Sequence, residues 1–406
     1  MTTEWRAAGG VLSALLLSAG ACLVGCSGAA AEDEGSVEQE SVSAHHASRW
    51  VLLGDSLNPA PEEEVAALAL SAAPALRPGA QPLVGFSTAS QTRAFVLTGN
   101  RFKPLGEPLP GPSSALALGS RHDIYACTAD TYLGGPFVHR WDGSRWRPVG
   151  GDISVETGYA RPAPQRYVLQ GCGDIVLAGA VPVVAWSALV GAKAHAAYVA
   201  RFNAQQGRWE GLEPGISGRN PDVALAVDEA GPLHAVTFSP GGSYAGGNTT
   251  RVWRFGASGW SQLGSDLPDT TEPRLATRDH ALYLALGRVG SASGVMQVLR
   301  WQGGAWRELP SPGEGSVRSL ALTDTGRPLV AFTDLGVPAR LRVSRFADGA
   351  WRELGSGVAD VNRPGLGVVL DLDARDRPVV LFSDSVQEGS TQRYDVQVAR
   401  YGGSVR

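Results

Sequence analysis

The sequence predicts an all-β fold: a seven-bladed β-propeller closed by pairing of its N-terminal and C-terminal strands in one blade. Three observations lead there. The first is a repeat in which an arginine precedes an aromatic, a short turn follows, and a second aromatic closes the unit. It reads Arg140-Trp141…Trp146, Arg201-Phe202…Trp209, Arg254-Phe255…Trp260, Arg300-Trp301…Trp306 and Arg345-Phe346…Trp351, with a degenerate copy at Leu97…Phe102. The second is the period. The closing aromatics Trp50, Phe102, Trp146, Trp209, Trp260, Trp306 and Trp351 lie 52, 44, 63, 51, 46 and 45 residues apart, a spacing typical of propellers and solenoids. The third is a split unit. Val398-Ala399-Arg400-Tyr401 has no second aromatic after it, and Arg49-Trp50-Val51-Leu52-Leu53-Gly54 has no first half before it. A linear solenoid gives no reason for such a split, whereas a ring closes by sharing one sheet between its ends.

Residues 1–25 come first along the chain. They hold Arg6 and an apolar run from Val11 to Val24, ending in Leu23-Val24-Gly25-Cys26. A charged start, a short apolar core and small residues before the cut describe a secretory signal, the run being short for a membrane span. The tetrapeptide resembles the lipobox of bacterial lipoproteins, which implies a lipid on Cys26. The partner so implied is a membrane, and the location a bacterial cell envelope, at the outer membrane or cell surface. Two or more acyl chains, at about 0.8 kcal/mol per buried methylene, make a stable anchor.

Residues 26–48 carry Glu32, Asp33, Glu34, Glu38 and Glu40 and no basic side chain. Such a composition buries no core and reads as an acidic, flexible tether. With a neutral signal (Glu4 against Arg6) and a tether of −5, the rest of the −4 chain carries +1. A near-neutral ring has no electrostatic footprint for nucleic acid.

Residues 49–406 form the ring. Ser319–Asp324, Leu329–Phe332, Leu341–Phe346 and Trp351–Gly355 are short β-rich runs separated by Thr325-Gly326-Arg327-Pro328 and Asp348-Gly349. These are hairpin signals, and they predict four strands per blade, ordered from the inside out. Arg49–Gly54 then supplies the outermost strand of the last blade. The third-strand arginine recurs in six blades at one position, so it faces outward and does not converge on the axis as a carboxylate clamp would. Its expected work is stacking on the neighbouring tryptophan, or pairing with Glu308 or Glu353. The repeat tryptophans are expected to pack between blades.

Within the ring only Cys127 and Cys172 are cysteine, which permits one disulfide in an exported chain. Aligning Asp123-Ile124 on Asp174-Ile175 puts Cys127 at the far end of its strand and Cys172 in a turn, which favours two separate buried thiols. The seven histidines show no metal-ligand spacing, and no nucleophile-elbow, zincin or phosphate-loop motif is present. Neither cofactor nor metal is expected. Asp130, Asp334 and Asp384 end second strands, where capping is their expected role.

The stretches that vary are the connections from strand two to strand three and from blade to blade: 128–137, 151–166, 179–195, 238–250 and 286–296. Antiparallel geometry puts both classes on one face, and function on repeat proteins collects where insertions do. They carry Tyr132, Glu156, Tyr159, Trp186 and Tyr244, candidate ligand contacts able to stack on sugars or anchor a protein.

The phrase Trp-Asp-Gly-Ser-Arg-Trp-Arg-Pro-Val-Gly (141–150) resembles Kelch-like and sialidase-like repeats of secreted bacterial proteins, over residues 49–406 at the level of fold. Two functions follow. The favoured one is a tethered, monomeric, non-catalytic binding or scaffold propeller for a glycan or protein partner. The alternative, implied by the sialidase-like resemblance, is a glycan-active hydrolase using Asp130 and Glu156. Fold likeness alone does not choose between them.

Overall fold

The computed structural model describes residues 49–403 apart from 58–64, 66, 72–81, 112, 120–122, 130–134, 159–171, 191–193, 214–215, 219–221, 229–230, 241–246, 289–293, 362–366 and 389–390. The signal, Cys26 and the tether lie outside the described residues.

The chain is a seven-bladed β-propeller. Seven antiparallel sheets follow one another, each with four strands in sequence order from the axis outward. Blade one is Ala67–Ser71, Leu83–Ser87, Gln91–Thr98 and Arg101–Pro104, and blade three is Cys172–Ala178, Val181–Val190, Ala194–Asn203 and Arg208–Gly211. Blade seven joins the termini. Val368–Leu372, Pro378–Glu388 and Thr391–Tyr401 are completed on the outside by Trp50–Leu52, with Trp50 opposite Tyr401 and Leu52 opposite Ala399. In four blades a short fifth segment continues along the third strand beyond the fourth: Leu109–Pro110, Ile216–Gly218, Leu267–Pro268 and Ala359–Val361. It shortens the exposed outer edge, where unpaired backbone invites association.

The turns explain why these runs pair as hairpins. Asp279-His280, Gly303-Gly304 and Asp348-Gly349 are two-residue loops with both residues at positive φ, between 48° and 80°. That backbone matches the right-handed twist of the flanking strands, and Asp and Gly accept it at least cost.

The core is a set of layers between neighbouring blades. Leu329, Leu341 and Val343 of blade six pack with Val380, Phe382 and Tyr401 of blade seven. Val379, Val396 and Val398 on the other side of blade seven pack with Val84, Phe86 and Phe95 of blade one. The repeat aromatics seal the outer part of each layer. They pair across strands within a blade, with ring centroids 5.2–5.8 Å apart. The indole of the closing tryptophan then donates to a carbonyl of the preceding blade: Trp209 to Val149 (2.8 Å), Trp260 to Leu212 (3.0 Å), Trp306 to Leu263 (2.9 Å) and Trp50 to Leu354 (2.6 Å). Blade one has Phe102 here, which has no N–H to give.

The third-strand arginines take different partners: Arg201 reaches Glu210 of the fourth strand at 3.9 Å. Arg140 and Arg300 lie 5.7 Å from the rings of Tyr125 and Tyr283 on the second strand. Glu353 pairs with Arg342, three strand positions before the repeat arginine Arg345. In an antiparallel pair the residue directly opposite is nearest, and Tyr125 and Tyr283 are opposite Arg140 and Arg300.

Candidate functional site

Strand direction puts the connections between strands two and three, and those between blades, on one face of the disc. Two hairpins rise from that face. In blade three, pairing continues to Val190 opposite Ala194, and in blade seven to Glu388 opposite Thr391. The blade-seven extension escaped the sequence reading because it is polar: Ser383, Asp384, Ser385, Gln387, Gln392, Arg393 and Asp395 dilute the strand pattern. Asp384 and Asp395 are directly opposite and both buried, with Arg393 on Asp395 at 3.2 Å.

The predicted contacts divide. Tyr132, Tyr159 and Tyr244 lie outside the described residues, as does Asp130. Trp186 is not a loop residue. It sits in the second strand of blade three, is 1% exposed and stacks on Tyr198 at 5.6 Å. The run Val181-Pro182-Val183-Val184-Ala185-Trp186-Ser187 carries a strand signal that the loop assignment passed over, and its alternation buries Trp186 between blades two and three.

Glu156 is also unsuited to ligand contact. It ends a one-turn helix, Ile153–Glu156, capped by Asp152, which accepts from Ser154 and Val155 amides. Its oxygens accept the main-chain amides of Gly151 and Trp209, the latter at 2.7 Å. It fastens the blade-two exit to the outer strand of blade three. Asp334 caps its strand end, accepting the Gly336 and Arg340 amides.

Cys127 and Cys172 are joined by a disulfide, with Cα atoms 6.1 Å apart. Cys172 is the first residue of the innermost strand of blade three, not a turn residue. It lies opposite Trp186, just before a β-bulge at Gly173. The Asp-Ile alignment missed this because the bulge shifts the register between Cys172 and Asp174.

That bulge also aims Asp174. In blades three, five and six the innermost strands shift register at 172/174, 271/274 and 317/319, which sets Asp174, Arg274 and Ser319 at one position around the axis. Each reaches a main-chain group of the next blade. Asp174 accepts the Leu225 amide (2.8 Å), Arg274 donates to the Arg318 carbonyl (2.8 Å), and Ser319 accepts the Leu370 amide (3.0 Å). In these three cases a main-chain group on the inner edge of the next blade, where no strand pairs with it, is satisfied in this way.

Asp174 also lines an axial cavity of 870 Å³ with Leu68, Leu70, Leu116, Leu118, Val176 and Val369, drawn from blades seven, one, two and three. Gly119, Asp123, Gly179 and Ala180 carry it to the short-turn face. Solvent in the cavity reaches part of the side chain, yet protein surrounds it. That enclosure pushes the carboxyl up to about 6, against the opposing pull of the Leu225 and Ile175 amides and the Arg274 charge. Arg274 forms no ion pair with it, giving Nε and Nη1 to the carbonyls of Arg318 and Pro273. Among the described residues no group of three His, Cys, Asp or Glu side chains is placed to hold a metal.

His234 titrates in the opposite sense. Burial, reinforced by the Arg254 charge, pushes it down to about 4, with Asp228 and the Pro232 carbonyl opposing. Burial also lowers His139. Asp174 is raised in the folded state, so its contribution falls as pH rises from about 4 to about 6; His234 is lowered, so its contribution rises from about 4 to about 6.5. The two offset each other. Asp174→Asn is therefore expected to unmask the histidine, with stability rising by on the order of 3 kcal/mol between pH 4 and 6.5. Denaturant titrations at several pH values check this, and a variant profile parallel to wild type would contradict it.

No protein-family model and no curated protein matches the chain. Among solved structures it is similar to "YCF48 bound to D1 peptide" (13% identity, 86% of this chain and 99% of that chain, TM-score 0.45). It is also similar to a puromycin-hydrolyzing peptidase of Mycobacterium tuberculosis (14% identity, 87% and 57%, TM-score 0.47) and to AofleA from Arthrobotrys oligospora (15%, 76% and 90%, TM-score 0.45).

Proposed function

We propose that the protein is a non-catalytic binding propeller, held at the bacterial cell envelope by a lipid on Cys26 and the tether 27–48, with a glycan or protein as partner. The observation that carries this reading is the asymmetry of the ring. The hairpins of blades three and seven extend from the same face, while the connections on the other face are two to seven residues long apart from 72–82 in blade one. A rigid disc presenting irregular extensions on one side suits recognition by summed contacts. The commitment of Glu156 to main-chain amides weighs against the hydrolase alternative.

The test has two arms. Cys26→Ala is expected to leave an unlipidated protein that no longer fractionates with membranes, and retention there would refute the anchor. On a glycan array and against envelope proteins, saturable binding is expected that disappears when the blade-seven hairpin is cut back from 386–393 to a two-residue Asn-Gly turn, which keeps the buried Tyr394 opposite Ser385, with the melting temperature unchanged. Turnover of a glycosidase substrate, or binding untouched by the shortened hairpin, would overturn the reading.

A further inference from the structure

The axial cavity carries an inference independent of the long-loop face. Asp174 does more than the ring requires. At the same position in blade six, Ser319 holds the Leu370 amide with a neutral hydroxyl, so a neutral acceptor suffices as an inner-edge clamp. A carboxylate in apolar surroundings costs free energy unless a charge partner meets it, and Asp174 has no ion-pair partner among the described residues. Its two hydrogen bonds, from Leu225 and Ile175, occupy two of roughly four lone-pair sites. The remainder faces a cavity whose lining contains no basic side chain. The second acid of the lining, Asp123, is paired with Arg140 at 2.8 Å.

We propose that this cavity binds a hydrophobic amine, a single organic cation with an apolar body. The body lies against Leu68, Leu70, Leu116, Leu118 and Val176, and the ammonium donates to Asp174. The volume of 870 Å³ falls within the range of small-molecule sites, about 300–1,000 Å³, which combine apolar walls with a few placed polar groups. The groups facing Asp174 are the Arg274 charge from blade five, the Leu225 amide from blade four and Asp123 in the same cavity from blade two. The faces from blades one and seven, Leu68–Leu70 and Val369, are uncharged.

Decylamine, decanol and decanoate are the probes, titrated calorimetrically into the full chain carrying Cys26→Ala so that no acyl chain competes. Decylamine is expected to bind saturably, more tightly than decanol, with decanoate weakest. Its affinity is expected to rise between pH 5 and 7 as Asp174 ionises, and Asp174→Asn to weaken it at pH 7 by roughly tenfold or more. Val176→Trp, which fills the cavity, is expected to abolish binding while Asp174→Asn keeps the fold testable if the larger residue does not. Stronger binding of decanoate than decylamine, no saturable binding, or an Asp174→Asn variant with unchanged affinity and pH profile overturns the proposal. Cutting back the blade-seven hairpin leaves amine binding intact, so failure here and failure at the long-loop face are distinguishable.

Discussion

A chain lacking residues 49–57 is expected to lose its cooperative unfolding transition and to aggregate. Those residues form the outer strand of blade seven, and their removal uncovers the edge of Thr391–Tyr401 from Val396 to Tyr401. Leu53 and Leu57 continue the pairing beyond the strand, through main-chain bonds of 2.8 Å to the Val398 and Val396 carbonyls. Both are buried in the layer between blades seven and one, while Trp50 packs in the layer toward blade six and donates to Leu354. Withdrawing each buried leucine costs about 1.5–3 kcal/mol, and truncating a fully buried tryptophan about 3–5, which is an upper bound for the half-buried Trp50. Together these approach a whole domain stability of about 5–15 kcal/mol. The new edge would offer unpaired N–H and C=O groups to other chains. Thermal melts followed by circular dichroism, with size-exclusion chromatography, check the outcome. Deleting 27–47 is expected to change neither, and a chain without 49–57 that melts as wild type does would refute closure by the shared blade.

The closure is legible in the sequence because the repeat is carried by large, unambiguous residues. Trp50 without a preceding arginine-aromatic pair, and Arg400-Tyr401 without a following aromatic, can be completed only by each other. The turns were equally legible, since Asp348-Gly349 and Gly303-Gly304 favour the backbone that a two-residue hairpin needs. What the repeat did not encode was read less well. Trp186 looked like a loop aromatic because it falls outside the repeat, yet strand alternation buries it. Glu156 looked available because a carboxylate in a connection is usually solvated, and only the fold brings the Trp209 amide to it. Asp174 went unrecognised because its sequence context, Cys172-Gly173-Asp174-Ile175, does not announce a bulge. Without the bulge there is no reason to place it on the axis beside leucines from two other strands. Long-range placement of isolated polar residues has no periodic signature, whereas the framework that positions them does.

Breaking the Cys127–Cys172 disulfide is expected to lower stability by about 4 kcal/mol, the chain-entropy value for a cross-link spanning 45 residues. The bond ties the second strand of blade two to the innermost strand of blade three. Its loop takes in residues 146–172, the first part of the widest interval in the repeat, the 63 residues between Trp146 and Trp209. Between Trp146 and the first strand of blade three the described chain holds to the ring through the short helix and the Glu156 bonds, and the Trp209 indole ties the outer strand of blade three back to Val149. The cross-link and its packing can be separated, because other blades show what fills these positions without sulfur. Ala185, Ala285 and Ala331 occupy the register of Cys127, two residues past the partner of the third-strand arginine. Val223, Val317 and Val368 occupy that of Cys172. Cys127→Ala with Cys172→Val therefore installs side chains the fold already accepts, so the loss it shows belongs to the covalent link. Denaturant midpoints for this double variant, and for wild type with and without a thiol reductant, form the measurement. The variant and the reduced wild type are expected to shift together, with the variant insensitive to reductant. A double variant as stable as the oxidised protein would mean that non-covalent packing around Trp186, Tyr198 and Trp209 holds the interface between blades two and three without the cross-link.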